Sequence, residues 1–222
     1  MTLDVVMLGP PGAGKGTQAK RVATARGIPH VSTGDILRAA IASGSPLGRQ
    51  VKTVLDAGQL VGDDIVIEVM RKRLASPDAR AGVVLDGFPR RVHQAQALDE
   101  MLADRGALVI VDLTVTDAEV VERLSRRRVC ARCGAIAGSS DASPAASCSS
   151  CSGVLEQRSD DSEDVVLERL AVYRRDTAPL VEFYMERSTF RTVDGAQPPE
   201  AVSAAVSSAI ADAAAVVNPV SQ

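Results

Sequence analysis

The sequence predicts an α/β chain: a five-stranded parallel sheet with helices on both faces. Three observations carry this. Apolar runs without polar alternation recur at residues 2–8, 28–32, 82–86, 107–113 and 190–193, as strands buried on both faces require. Helical periodicities separate them. The first run also leads straight into a glycine-rich turn, Gly9-Pro10-Pro11-Gly12-Ala13-Gly14-Lys15-Gly16-Thr17-Gln18, that opens the first helix. A parallel sheet puts such turns at the carboxyl ends of its strands, where ligand clefts form.

Taken in order, residues 15–26 follow the turn as a helix stopped by Gly27. Helices are also predicted over 63–74, 91–105, 117–126 and 161 to about 187, the last broken near Pro179, and an alanine-rich helix starts at Pro199. Two segments interrupt the alternation. Residues 33–61 hold two short helical patterns around Gly44-Ser45-Pro46. Residues 129–158 form the other, and their centre, 138–147, is too small and polar to make a core by itself. The expected organisation is a core of 1–31, 62–126 and 161–222, a first insertion of 32–61 and a second of 127–160.

At 222 residues and 45% hydrophobic content the chain can bury one sizeable core. A net charge of −3 argues against nucleic-acid binding through bulk charge, although a local anion site stays open. The N-terminus lacks the basic start and apolar core of a signal peptide, and no apolar run reaches membrane-spanning length, so a cytoplasmic protein is expected. Of the 25 basic residues only Lys15, Lys20, Lys52 and Lys72 are lysines. The arginine excess suits planar forks that grip phosphate, and equally suits a bias in base composition.

The turn at 9–17 has the chemistry of a phosphate cradle. Glycines let successive N–H groups converge on an anion at a helix N-terminus, and Lys15 adds a full charge at the β/γ-phosphates. Its spacing is that of a P-loop, except that Gly16 stands where a hydroxyl residue is usual and Thr17 follows one place later.

Cys130-Ala-Arg-Cys133 and Cys148-Ser-Ser-Cys151 are two Cys-x₂-Cys pairs separated by 14 residues. Four thiolates so spaced read as a structural zinc site that organises the second insertion without doing chemistry. Iron in the same cage, thiols that merely lie close together, and a nucleic-acid-binding zinc ribbon are the alternatives. The ribbon is disfavoured, because the intervening loop has no aromatic residue for stacking and its interior pairs offer only Arg132 as a base-contacting cation.

Lys15-Gly16-Thr17-Gln18, Ser32-Thr33-Gly34-Asp35-Ile36-Leu37-Arg38, Asp86-Gly87-Phe88-Pro89-Arg90 with Gln94, and the arginines around the cysteines together resemble the adenylate kinases, in their long-lid, zinc-bearing form. The resemblance implies a P-loop NTPase fold with an AMP-binding helical insertion and a zinc-bearing lid. It implies the reaction ATP + AMP ⇌ 2 ADP with Mg²⁺, in a monomer whose partners are ATP, AMP and ADP and neither nucleic acid nor membrane.

By the same resemblance, Lys15, Arg90, Arg127, Arg158 and Arg169 would stabilise the transferring phosphoryl group. ATP would meet Gly12, Ala13, Gly14, Lys15, Gly16, Thr17, Arg123, Arg127, Ile136, Ala137 and Gln197. AMP would meet Thr33, Arg38, the Gln59-Leu60-Val61 backbone, Gly87, Phe88, Pro89, Arg90, Gln94, Arg158 and Arg169. Asp86 would hold magnesium through water, and Cys130, Cys133, Cys148 and Cys151 would hold zinc. Arg91 and His93 depart from the pattern and predict a changed local charge near AMP. Ile136-Ala137 replaces a more polar, aromatic pair. The competing readings are a UMP/CMP kinase, a GTP-dependent donor site, and a nucleotide switch with a zinc module; the second, acceptor-type set of motifs disfavours the switch.

Overall fold

The computed structural model describes residues 2–137 and 147–217. Most of the polar stretch 138–147 therefore lies outside the described residues. Strands β1 (Leu3–Leu8), β2 (His30–Ser32), β3 (Val84–Asp86), β4 (Ala107–Thr114) and β8 (Phe190–Asp194) form one sheet in the order β2-β3-β1-β4-β8, parallel throughout. The glycine-rich turn leaves the central strand, and register sets Met7 beside Asp86 and Leu8 beside Asp112. All these carboxyl ends open on one edge.

Alternate residues of each strand feed two cores. Val6, Leu8, Leu85 and Ile110 face one side, where α2 (Thr33–Ala42), α3 (Pro46–Asp56), α4 (Asp63–Leu74), α5 (Val92–Met101) and α8 (Pro179–Tyr184) contribute apolar partners. Val5, Met7, Val84, Val109 and Val111 face α1 (Lys15–Arg26) and α9 (Pro199–Val217). Asp4 is buried within β1. Its Oδ1 accepts from the Val83 N–H at 3.0 Å and from Arg105 Nη2 at 2.7 Å, which compensates a carboxylate that burial pushes above its usual range.

Several expected elements end differently. The helix expected over 91–105 is Val92–Met101, because Arg105 turns back to Asp4 and to the Ala79 carbonyl at 2.5 Å. The second strand starts at His30, since Pro29 has no N–H to give the ladder. The helix expected from Asp161 becomes a 3₁₀ turn (Ser159–Asp161), α7 (Glu163–Val172), a π-helical turn (Tyr173–Thr177) and α8. The break lies a turn before Pro179: the Ala178 N–H reaches five residues back to the Tyr173 carbonyl at 2.8 Å, a widened turn that makes room for the proline ring.

The expectation that no apolar run reaches spanning length is also corrected. α9 is 19 residues with mean hydropathy 1.5, enough by length and composition. Alanine raises its hydropathy, while Val202, Val206, Ala209, Ile210 and Ala213 form a buried stripe packed on β4 and β8. That stripe is how a covering helix seals an α/β sheet.

The first interruption is a helical hairpin. Ser32 caps α2 by accepting from the Asp35 N–H, and Ser45 caps α3 by accepting from the Gly48 N–H at 3.0 Å, with Pro46 in the first turn. The second is a small antiparallel sheet, β6 (Ile136–Ala137), β5 (Arg128–Cys130) and β7 (Leu155–Glu156), reached through α6 (Asp117–Arg126). Among the described residues neither holds a large core of its own.

The hairpin closes because Gly48 lies against the α2 backbone; a Cβ there would stand 2.0 Å from the Ala40 carbonyl oxygen. Gly48→Ala is expected to cost about 2 kcal/mol by prying the helices apart, read as a lowered denaturant midpoint at unchanged slope. A midpoint equal to that of the parent would show that the hairpin can shift at no cost.

Candidate active site

Gly9, Gly12 and Gly14 all have positive φ, 127°, 80° and 94°. At Gly9 this is obligatory, since a Cβ would lie 2.4 Å from the Leu113 carbonyl oxygen of the neighbouring strand. The turn wraps the N-terminus of α1, and Lys15 folds back over it, donating to the Gly9 and Pro10 carbonyls at 2.8 and 2.7 Å. Burial draws the Lys15 ammonium down to about 7; Asp86 opposes this, and Arg90, Arg169 and Arg127 add to it.

Gly16, the departure from the usual P-loop, has a local reason. A Cβ there would meet Asp86 Oδ2 at 3.0 Å, so glycine lets that carboxylate rise from the end of β3 against α1. Burial alone would raise the Asp86 pKa, but His30, Lys15 and Arg90 hold it below the usual carboxylate range. His30 Nε2 lies 3.5 Å from Oδ2, a neighbour that the sequence reading left without a role.

A cleft of about 590 Å³ runs from this turn across the sheet edge. At the end beside α9 it is lined by Gly12 to Thr17, Arg123, Ile136, Ala137 and Gln197. Arg123 is fixed there by donating to the Gly195 carbonyl at 2.8 Å. The middle carries Lys15, Asp86, Arg127, Arg158 and Arg169. The far end, beside the helical hairpin, is lined by Arg38, Gln59, Leu60, Gly87, Pro89 and Arg90.

Four expected site residues stand behind this lining. Val61 and Phe88 are buried in the core, at 5% and 1% exposure. Thr33 donates to the Gly87 carbonyl at 2.7 Å, and Gln94 is 2% exposed with both ends of its amide engaged. Arg91 is likewise turned away. It pairs with Asp63 at 3.0 Å and Asp176 at 3.4 Å, so the extra charge expected near the cleft is neutralised outside it.

The carboxylates that hold the arginines were not foreseen from sequence. Asp161, fully buried, takes Arg127 through two hydrogen bonds, one of them 2.7 Å from Nε, and also accepts from Arg169 Nη1 at 3.1 Å. Asp160 accepts a further ion pair from Arg169 at 3.0 Å. Their signal was present, an Asp-Asp pair two residues after Arg158, but it reads equally as an acidic helix start. Among the described residues Arg158 has no such partner, and burial, then Arg38 and Arg127, bring its pKa down to about 10. The middle of the cleft thus has an excess of cations awaiting an anion.

The four cysteines gather at the outer end of the small sheet, with all four sulfurs within 4.8 Å of one another. Cys130 lies 3.4 Å from Cys151 and Cys133 lies 3.5 Å from Cys148, near the tetrahedron edge of about 3.8 Å that follows from Zn–S bonds of about 2.3 Å. The N–H groups of Cys133 and Arg132 aim at the Cys130 sulfur and lower its pKa; those of Ser150 and Cys151 do the same for Cys148. Gly153 is needed here, because a Cβ would stand 2.8 Å from the Cys130 sulfur. The cluster fits a four-thiolate metal site.

The profile of the family described as adenylate kinase matches residues 7–189. The chain belongs to the adenylate kinase family. An adenylate kinase of Symbiobacterium thermophilum is 48% identical over 94% of this chain and 98% of its own length. That of Archaeoglobus fulgidus is 45% identical over 90% and 94%, and that of Nitrosococcus oceani 51% over 87% and 91%. The chain is therefore a phosphotransferase that catalyses ATP + AMP ⇌ 2 ADP.

A polyphosphate laid on the cradle brings negative charge to Lys15 and raises its pKa from about 7 toward the ordinary lysine range. ATP binding near about pH 8 is therefore expected to take up close to one proton. Calorimetry in two buffers of different ionisation enthalpy reads this directly. The uptake disappears in Lys15→Arg, whose guanidinium is always charged; equal enthalpies in both buffers for the parent chain would refute it.

Proposed function

We propose that the two ends of the cleft are the donor and acceptor sites, with phosphoryl transfer at the cationic middle. The observation that carries this reading is the convergence of Lys15, Arg127, Arg158 and Arg169 in the middle of one cleft, with Arg90 and Arg38 next to them on the side of the helical hairpin. Phosphoryl transfer asks little covalent chemistry of a protein; it asks for in-line placement and for charge around the equatorial oxygens. Gly12 to Thr17, Arg123, Ile136, Ala137 and Gln197 hold ATP. Arg38, Arg90 and the 59–61 backbone hold AMP, supported from behind by Thr33, Phe88 and Gln94.

Magnesium bound with the nucleotide would supply further neutralisation of phosphate charge, and Asp86, held below the usual carboxylate range at the foot of α1, would hold it through water. The chain's own contribution is positional. Asp161 brackets Arg127 and Arg169 on one carboxylate, Asp160 takes Arg169 as well, and the small sheet closes the cleft over the donor, where Lys20 donates to the Gly134 carbonyl at 3.5 Å. Exclusion of water matters, since water in place of AMP would turn transfer into hydrolysis. The organisation into a core, an AMP-binding insertion (32–61) and a lid (127–160) follows from these roles. A monomer in the cytoplasm is the working form, a setting in keeping with four cysteines that form no disulfide.

Lys15→Met is expected to leave the fold intact and reduce kcat by at least about a hundredfold, since it removes charge that acts most strongly in the transition state. A coupled assay with AMP, CMP, UMP and GMP as acceptors reads the same reaction, with AMP preferred. Retention of a tenth or more of the turnover, or indifference to the acceptor, would sink the assignment.

Zinc bound by Cys130, Cys133, Cys148 and Cys151 is structural, because four thiolates leave no open coordination position. Chelation is expected to lower the melting temperature while sparing most turnover at low temperature. Elemental analysis of the purified protein provides the check: one zinc per chain is expected, and absence of metal would overturn the assignment.

A further inference from the structure

Asp63 stands in the first turn of α4, directly after Gly62, where the helical hairpin rejoins the core. It does not line the cleft. Its Oδ1 nevertheless accepts from Gln94 Nε2 at 2.7 Å and from Arg91 Nη1 at 3.0 Å, and its Oδ2 lies 3.7 Å from His93 Nδ1. The Gln94 Oε1 in turn accepts from the Arg90 main-chain N–H at 2.8 Å. A carboxylate only accepts and a main-chain N–H only donates, so the buried amide between them has one orientation. The Arg90 guanidinium then settles with Nε on the Gly87 carbonyl at 3.1 Å, the oxygen that also takes the Thr33 hydroxyl.

We propose that Asp63 is a positioning residue for the acceptor: by orienting Gln94 it fixes the Arg90 backbone, and so aims the guanidinium that grips the AMP phosphate. This rests on the reading of Arg90 as an acceptor-phosphate ligand. Arg91 completes the bracket by tying Asp63 to Asp176 of the π-helical turn at 3.4 Å, which anchors the start of α5 to the helices flanking the cleft. The departure at position 91 thereby finds a use outside the site. An acidic residue at a helix start also favours the helix by itself, so a loss of stability in a variant would not distinguish the two roles.

The test separates the two nucleotides kinetically. In Asp63→Ala, KM for AMP is expected to rise about tenfold while KM for ATP stays within about twofold. In Asp63→Asn, whose carbonyl can still accept from Gln94, KM for AMP stays within about threefold of the parent. The double variant Asp63→Ala/Gln94→Ala is expected to be no worse for AMP than Gln94→Ala alone, because the carboxylate acts through the amide. Equal rises in both KM values, additive effects in the double variant, or Asn failing as badly as Ala would each overturn the proposal. Arg90→Ala is measured alongside: unchanged KM for AMP there would overturn the acceptor reading itself, whereas a rise there with none in Asp63→Ala would overturn the positioning role alone.

Discussion

The structure depends on crowding like charge at one place without partners enough to neutralise it. At an effective dielectric of about 20, two cations about 6 Å apart repel by roughly 3 kcal/mol, so a knot of arginines around a buried lysine assembles only if other groups hold it. Asp161 and Asp160 do so from below, and Asp86 from the end of β3. Burial first, and neighbouring arginines after it, draw Lys15 and Arg158 below their ordinary ranges. In the proposed function, nucleotide phosphates would supply the missing charge.

That requirement explains the layout of the chain. A single rigid sheet edge cannot carry every cation, because the groups would repel before any ligand arrived. Lys15 opens α1 after the turn that leaves β1, Arg90 lies in the loop after β3, Arg38 belongs to the helical hairpin, and Arg127 and Arg158 lie where the chain enters and leaves the small sheet. The hairpin and the small sheet have little core of their own. One is closed by helix contact at Gly48, the other by a cysteine cluster.

Legibility from sequence followed the range of the interactions. Lys15–Arg26, Asp63–Leu74 and Asp117–Arg126 matched their expected bounds because caps, glycine stops and periodicity lie within one turn of the chain. The helix after Asp161 did not, since the π-helical turn depends on how a proline ring is accommodated by the turn before it. The cleft-lining glycines, Lys15 and the cysteines were legible from spacing. Thr33 and Gln94 were legible as polar residues beside the cleft, at the starts of α2 and α5, whereas their partners were not: hydrogen bonds across 54 residues, and to Asp63 31 residues away, turn them inward.

The sequence by itself determined the alternation of strands and helices, the phosphate cradle with its lysine, the two insertions and the four-thiolate spacing. Each is fixed by residues that are neighbours in the chain, so backbone chemistry alone is enough. Only the tertiary structure decided which arginines share a carboxylate, why position 16 is glycine, and where the charge of Arg91 goes. Those outcomes depend on Asp161, Asp86 and Asp63 arriving from distant segments, and the distance between two side chains on separate elements is set by packing, which no local pattern encodes.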